Sequence, residues 1–164
     1  MNQPGAAFEQ VVARHRGEIL AYLVRFLGDE PDAQDVCQDV MVRAYRAFDR
    51  LAPNSNARAW LYKIATRGAL NALRRRKRMT ARTADVDLDT LPARPHAPVE
   101  RTDELRRVRR AVDALPSKQR AALMQRNFQG LSYEEIGAAL GCSPDSARAN
   151  VYQAIKKLRA QLAP

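Results

Sequence analysis

The chain has few cysteines and no long apolar run. Cys37 and Cys142, its only cysteines, match neither the ligand spacing of a zinc site nor a disulfide framework, so we expect both to be small core residues. No apolar stretch approaches the roughly 20 residues that cross a bilayer, and the N-terminus lacks the basic start and apolar segment of a signal peptide. We therefore expect a cytoplasmic protein with no membrane contact of its own.

Acidic residues are absent from the middle of the chain. None occurs between Arg50 and Ala84, although this stretch carries a run of basic residues at 74–78 and the formal net charge of the whole chain is +10. Such an excess of positive charge favours a polyanionic partner.

The sequence also lacks a catalytic constellation. Clustered carboxylates for a metal are missing, as is a Ser or Tyr nucleophile among grouped arginines, so we expect no enzyme, no metal and no cofactor.

Two helices joined by a tight turn are predicted near the C-terminus. Ser132 and Glu135 have the spacing of a capping box, which begins the first helix, and Gly141 stands where a left-handed residue would end it. Ser143 is a good N-cap for the second helix, and Pro144 suits its first position. The pattern predicts a helix-turn-helix, the motif that places its second helix in a DNA major groove.

The second helix of this motif is amphipathic. Its packing side comprises Ala147, Val151, Ala154 and Leu158, and its outer side comprises Asp145, Ala149, Tyr152, Gln153 and Lys156, with Arg148 at the border. The outer side suits DNA reading, although a plain helical hairpin with a solvated face has the same pattern. Before the motif, helices are predicted from Asp103 onward, with a break at Pro116. The second of them would pack on the motif through Ala121, Leu123, Met124 and Phe128.

Two amphipathic helices are predicted in the first third of the chain, at 8–27 and 32–49, the second with Asp32 as N-cap. The exposed side of the second helix comprises Asp35, Gln38, Asp39, Val42, Arg43 and Arg46. Such a stripe is ordinarily solvated, but an apolar residue set among polar ones favours a protein-binding face.

A basic helix is predicted over 58–78, after a loop at 51–57. Its packing side comprises Leu61, Ile64, Ala65, Gly68 and Ala72, and its polar side comprises Lys63, Thr66, Arg67, Asn71 and Arg74, with Trp60 at the margin. Cations that hold phosphates and aromatic rings that stack on bases are what single-strand recognition requires. Trp60 and Tyr62 fit either this stacking role or a core position.

The predicted fold is all-α, with two small helical domains joined by a flexible linker. Composition places the boundaries at 6–80 for the first domain and 103–162 for the second, which contains the helix-turn-helix. The segment 81–102 between them is acidic and contains prolines, as linkers do.

In its order of motifs the chain resembles the small two-domain bacterial sigma factors of the extracytoplasmic function (ECF) group. The motifs are the acidic helix DAQDVCQDVMVRAY, the basic helix RAWLYKIA with its arginine run, a linker, LP-KQR-ALM and the helix-turn-helix. The resemblance covers nearly the whole chain. It implies a transcription initiation subunit whose partners are core RNA polymerase, promoter DNA and an anti-sigma factor.

The resemblance also implies three sets of binding residues. Binding to the clamp coiled coil of the largest polymerase subunit is expected at Asp35, Gln38, Asp39 and Val42. Capture of the unwound minus-ten strand is expected at Asn54, Ser55, Asn56, Trp60, Lys63, Arg67, Asn71, Arg74 and Arg75. Reading of the minus-thirty-five duplex is expected at Ser146, Arg148, Ala149, Tyr152, Gln153 and Lys156.

One departure limits the resemblance. Many members have a basic residue in the reading helix where this chain has Asn150, so the promoter sequence does not carry over. A stand-alone helix-turn-helix regulator that binds duplex DNA without polymerase is the alternative. The mixed stripe on the second helix separates the two, because an operator-binding protein has no use for it.

Overall fold

The computed structural model describes residues 4–82 and 103–164, and within these ranges the protein is all-α. Its helices are α1 Pro4–Leu27, α2 Glu30–Ala47, α3 Ala57–Arg82, α4 Asp103–Asp113, α5 Ser117–Asn127, α6 Tyr133–Leu140 and α7 Pro144–Leu162, with a 3-10 turn at Phe48–Arg50. The residues of the expected linker from 83 to 102 lie outside the described part.

The first three helices form one packed group. Each contacts the other two, because each has an apolar stripe at helical spacing. Ile19, Leu23, Val40 and Leu61 are buried in its centre, as is Cys37. The helices α4 to α7 form the second group, in which Cys142 is half-buried. Gly68 of α3 faces α2 so closely that an added Cβ would lie 3.1 Å from Val36 Cγ1. This close approach positions the basic helix against the acidic one.

The helix-turn-helix has the local geometry that its sequence predicts. The Ser132 hydroxyl accepts a hydrogen bond from the Glu135 amide, and the Glu135 carboxylate accepts one from the Ser132 amide, which confirms the capping box. Gly141 ends α6 with φ +68°, and the Ser143 hydroxyl caps α7. Ala147, Val151 and Ala154 are buried on the inner side of α7, as predicted.

Several predicted boundaries were wrong. The N-cap of α2 is Asp29 rather than Asp32, since the Asp29 carboxylate accepts a hydrogen bond from the Asp32 amide at 2.9 Å. Pro31 therefore lies in the first turn of α2, where its missing N–H costs nothing. α1 begins at Pro4, four residues earlier than expected. α3 continues to Arg82, so the helix includes the start of the expected 81–102 linker.

The two helical groups share a continuous core. α6 packs along α3, and α5 contacts α1. Buried residues from both groups belong to one apolar cluster, which includes Tyr22 and Leu61 from the first group and Met124, Leu131 and Ile136 from the second. The helix-turn-helix therefore lies directly against the basic helix.

Candidate functional site

The outer face of α7 is open to solvent. Every residue expected to read the minus-thirty-five element is exposed, and Tyr152 has 65% of its surface accessible. The guanidinium of Arg148 lies 4.9 Å from the centre of the Tyr133 ring, which Arg126 also contacts at 4.4 Å. This cation–π contact holds Arg148 at the edge of the face. The arrangement is a polar and basic surface on the second helix of the motif.

The mixed stripe on α2 is also exposed. Asp35, Gln38 and Asp39 are accessible, and Val42 among them exposes 45% of its surface. On the opposite side of α2, Val36, Cys37, Val40 and Ala44 are buried. An exposed apolar residue bordered by carboxylates suits contact with another protein.

The residues expected to bind the minus-ten strand lie in two different environments. Arg67, Asn71, Arg74 and Arg75 are exposed on α3, and Asn54 and Ser55 are exposed in the preceding loop, whereas Trp60 and Lys63 are half-buried. Trp60 lies 6.3 Å from Phe48, ring centre to ring centre. Because the Trp60 ring is half-buried, it packs against the core and still has a surface on which a base can stack.

A cleft of about 290 Å³ lies between α2 and α3. Its floor is apolar, and its walls include Asp39 and Arg43 from α2 and Asn71, Arg75 and Arg78 from α3. It brings residues of the expected polymerase-binding and strand-binding sets together. The guanidinium groups give this surface a strong attraction for phosphate.

Two residues are placed differently from their predicted environments, and one open assignment is decided. Tyr62, for which stacking and core positions were both open, is a buried core residue. Thr66, assigned to the polar side of α3, is buried as well. Phe128, expected to pack on the helix-turn-helix, is 59% exposed with the Arg25 guanidinium 4.7 Å from its ring centre. The cause for Thr66 is additional packing, because α6 lies along α3 and Gln125 of α5 donates a hydrogen bond to the Thr66 hydroxyl.

A buried polar cluster joins the two helical groups at Thr66. The Gln125 side-chain amide donates hydrogen bonds to the Tyr22 hydroxyl at 3.2 Å and to the Thr66 hydroxyl at 3.0 Å, and these two hydroxyls are 3.1 Å apart. All three residues are almost fully buried. Burial raises the pKa of Tyr22 above its ordinary value, so the phenol stays neutral. Sequence patterns missed this cluster.

An ionic cluster lies beside the polar one. Arg58 donates three hydrogen bonds to the Glu18 carboxylate, at 2.8 to 3.1 Å, and its Nη1 lies 3.7 Å from Glu135. Asn56 caps the start of α3 through the Ala59 amide, and it also donates to Glu135 at 2.9 Å. An expected strand-binding residue is therefore bonded to the helix-turn-helix.

The two carboxylates of this cluster are stabilised in their ionised forms. Partial burial opposes ionisation of Glu18, but hydrogen bonds from Arg58, His15 and Tyr62 outweigh it and lower the Glu18 pKa below its ordinary value. The pKa of Glu135 is lowered in the same way, with burial outweighed by bonds from Asn56 and Ser132 and by the charge of Arg58. Burial and the adjacent Glu18 raise the pKa of Tyr62.

Metal-ligating side chains do not gather anywhere in residues 4–82 and 103–164. In the same ranges, none of the helices combines the length and apolar character needed to cross a membrane.

The comparisons with known proteins agree with this geometry. Residues 11–79 match the family Sigma-70 region 2, and residues 105–158 match Sigma-70, region 4. The RNA polymerase sigma-H factor of Pseudomonas aeruginosa is 32% identical over 96% of this chain and 87% of its own length. The chain belongs to the ECF sigma factors. It is thus a member of a family of transcription initiation factors, and region 4 contains the helix-turn-helix.

Other relatives are similar. The ECF RNA polymerase sigma factor SigE of Mycolicibacterium smegmatis is 31% identical over 96% of this chain, which spans 62% of that relative. Among solved structures, CnrH in complex with the cytosolic domain of CnrY has a TM-score of 0.68 and 31% identity, covering 95% of this chain and 87% of that one. The sigma factor RpoE of Bartonella quintana, in complex with the anti-sigma factor NepR, shares the fold, with a TM-score of 0.74, 24% identity and coverage of 95% and 96%.

Proposed function

We propose that this ECF sigma factor binds core RNA polymerase and directs it to specific promoters. In this proposal, residues 6–80 form the domain that binds polymerase and the minus-ten single strand, and residues 103–162 form the domain that reads the minus-thirty-five duplex. Family membership supports the general function. The residue assignments rest on the faces described above.

The observation that carries the proposal is the exposed stripe Asp35, Gln38, Asp39 and Val42 on α2. A regulator that acted through the helix-turn-helix alone would need only the face of α7. A second exposed face with two carboxylates and an apolar centre fits a protein partner. The clamp coiled coil of the polymerase is the partner that the ECF resemblance implies.

Affinity and selectivity are assigned to different residues. Arg67, Arg74 and Arg75 are exposed cations suited to phosphate, and such contacts supply affinity without sequence information. Arg148 and Gln153 on α7 carry the donors that read base edges, where each good pair discriminates by about 1 to 3 kcal/mol. Once polymerase holds both domains, their separate selectivities multiply, as in other bivalent binders.

Promoter opening adds a further demand on the first domain. Unstacking bases costs a few kcal/mol per nucleotide, which must be offset by contacts made only with the separated strand. The half-open Trp60 ring and the arginine-lined cleft between α2 and α3 offer stacking and phosphate contacts for that strand.

An anti-sigma factor is a further proposed partner. The structures of CnrH and of the Bartonella quintana RpoE, which this chain resembles, each contain a bound second protein. An apolar groove of about 500 Å³ between α4, α5 and α7, lined by Val108, Leu123, Phe128 and Leu162, offers a surface of the right character.

The test is a purified system with core polymerase and a library of random promoters. The Asp39→Ala variant should lose core binding in a pull-down yet keep its helical content. The Arg148→Ala variant should keep core binding but lose transcription from the promoters that the wild type selects.

Two outcomes contradict the proposal. If the chain enriches no promoter above core polymerase alone, it does not direct initiation. If it ignores core polymerase but binds duplex operators tightly by itself, it is a stand-alone regulator.

A further inference from the structure

We propose that the free chain is self-inhibited, because its helix-turn-helix docks on the start of the basic helix α3 and blocks promoter binding. Inhibition of promoter binding rests on the proposed function. The docking of the two helical groups, which we call the closed arrangement, does not depend on it. Three kinds of contact between the helical groups carry the inference: a buried amide, a shared ionic cluster and a rim of arginines.

The buried amide belongs to Gln125 of α5. Its side chain is completely buried and donates to Tyr22 on α1 and Thr66 on α3. Nothing in α5 itself requires a polar residue at this position, and a buried amide is costly unless it is bonded. The chain thus places a polar group where only the closed arrangement provides its partners.

The ionic cluster occupies residues at the start of α3. Glu135 of α6 accepts a hydrogen bond from Asn56 and lies within ion-pair distance of Arg58. Arg58 also donates to the backbone carbonyl of Gln129, between α5 and α6. A carboxylate at this point also repels the phosphates of an approaching DNA strand. The helix-turn-helix thus occupies the beginning of the expected strand-binding surface.

Arginines from both groups complete the contact. The Arg120 guanidinium lies 4.5 Å from the centre of the Phe26 ring, and Arg25 lies over Phe128. Gly28 has φ +70°, and a Cβ there would lie 2.2 Å from the guanidinium of Arg109 on α4. Each pair joins α1 or the residue that follows it to the second group.

The closed arrangement is incompatible with simultaneous reading of both promoter elements. The minus-ten and minus-thirty-five elements are centred about 25 base pairs apart by their positions, which is about 85 Å of duplex at 3.4 Å per step. In the closed chain α6 and α3 are in direct contact. Lys63 and Arg67 even share a small cavity with Leu140 and Gly141 of the helix-turn-helix. The two groups must therefore separate before both elements are bound.

The experiment uses the full chain and a matched pair of amide-to-acid substitutions in α5. Gln125→Glu places a charge in the buried cluster, and Asn127→Asp makes the same chemical change at an exposed position two residues away. Tyr22→Phe combined with Thr66→Val removes both acceptors of the Gln125 amide from the other side of the interface. Small-angle scattering measures the radius of gyration, circular dichroism measures helical content, and stopped-flow fluorescence measures association with core polymerase.

We expect the wild type and Asn127→Asp to scatter as compact particles, near the value of about 15 Å typical of a folded chain of this length. Gln125→Glu and the double variant should keep their helical content, expand, and associate with core polymerase about tenfold faster. An unpaired buried amide shifts such an equilibrium by a factor of roughly 5 to 150, and a buried charge shifts it further. An expanded wild type, or variants that stay compact, would overturn closure.

Two further outcomes separate inhibition from the proposed function. Variants that expand but associate no faster than the wild type show that closure does not inhibit. A chain that ignores core polymerase in both open and closed forms refutes the proposed function and the inhibitory role together, while the scattering comparison still decides closure.

Discussion

Gly137 of α6 offers a sharp test of how the helix-turn-helix is held together. It lies against the turn, and the three atoms nearest to an added Cβ all belong to the backbone: the Cys142 carbonyl oxygen at 2.7 Å, the Ser143 carbonyl carbon at 3.2 Å and the Pro144 nitrogen at 3.3 Å. Backbone atoms cannot rotate away as the end of a flexible side chain does. Gly137→Ala must therefore push α6 away from the start of α7.

The expected magnitude is a balance of two effects. Alanine is better than glycine inside a helix by about 1 kcal/mol. Overpacking costs about 1 to 3 kcal/mol, and a contact with rigid backbone belongs at the upper end. Gly137→Ala should thus lower the free energy of unfolding by about 1 to 2 kcal/mol. Gly17→Ala is the control, since it lies inside α1 with open space around its Cβ position, and it should raise stability by up to about 1 kcal/mol.

Urea denaturation followed by circular dichroism gives both stabilities, and fluorescence anisotropy gives the affinity of the Gly137→Ala variant for a selected minus-thirty-five duplex. We expect lower stability and weaker duplex binding for this variant, and neither loss for Gly17→Ala. If Gly137→Ala proves as stable as Gly17→Ala, the close packing between α6 and the turn does not limit this motif.

Three further predictions concern charge. The pKa values of Glu18 and Glu135 lie below their ordinary 4.5, so the stability that these carboxylates contribute is complete above pH 4.5 and is lost as the pH falls through their lowered folded-state values. Urea midpoints measured across that range should therefore fall less steeply for Glu18→Gln than for the wild type, and equal slopes would contradict the assignment. Asp29→Ala removes the N-cap of α2 and should cost about 1 kcal/mol in the same assay, whereas no loss would show that the cap is dispensable. Replacing Arg74 and Arg75 together by alanine should reduce the salt dependence of single-strand binding by about 1.4 in the slope of log K against log salt, and an unchanged slope would remove both from the phosphate contacts.

Features encoded by neighbouring residues were predictable from the sequence. The capping box, the left-handed Gly141 and the cap at Ser143 each depend on residues within four positions of one another. The exposed faces of α2 and α7 could also be predicted, because the helical period in the sequence separates buried from solvated positions. The missed cap at Asp29 had a local signal too, since a proline two residues later is typical of a first helical turn.

Contacts between distant residues could not be predicted this way. A helical wheel assigns Thr66 to the polar side because it assumes that α3 packs on one surface only, whereas α3 contacts α1, α2 and α6. The bond from Gln125 to Thr66 joins residues 59 positions apart, and the bond from Gln125 to Tyr22 joins residues 103 apart. No periodicity within a single helix carries that information.

The chemistry of the interface explains how closure can be stable and still reversible. Gln125, Tyr22 and Thr66 exchange hydrogen bonds that water can replace at a net cost of about 1 kcal/mol each, so this polar part of the interface loses less on separation than the same area of apolar surface would. The Oε1 atom of Gln125 is buried and accepts no hydrogen bond within the described part of the chain. That unpaired acceptor penalises the closed form, and the penalty disappears when water reaches it. The free-energy difference between the closed and open forms is therefore smaller. A partner that binds only the open form can shift the equilibrium toward it without any loss of helical structure.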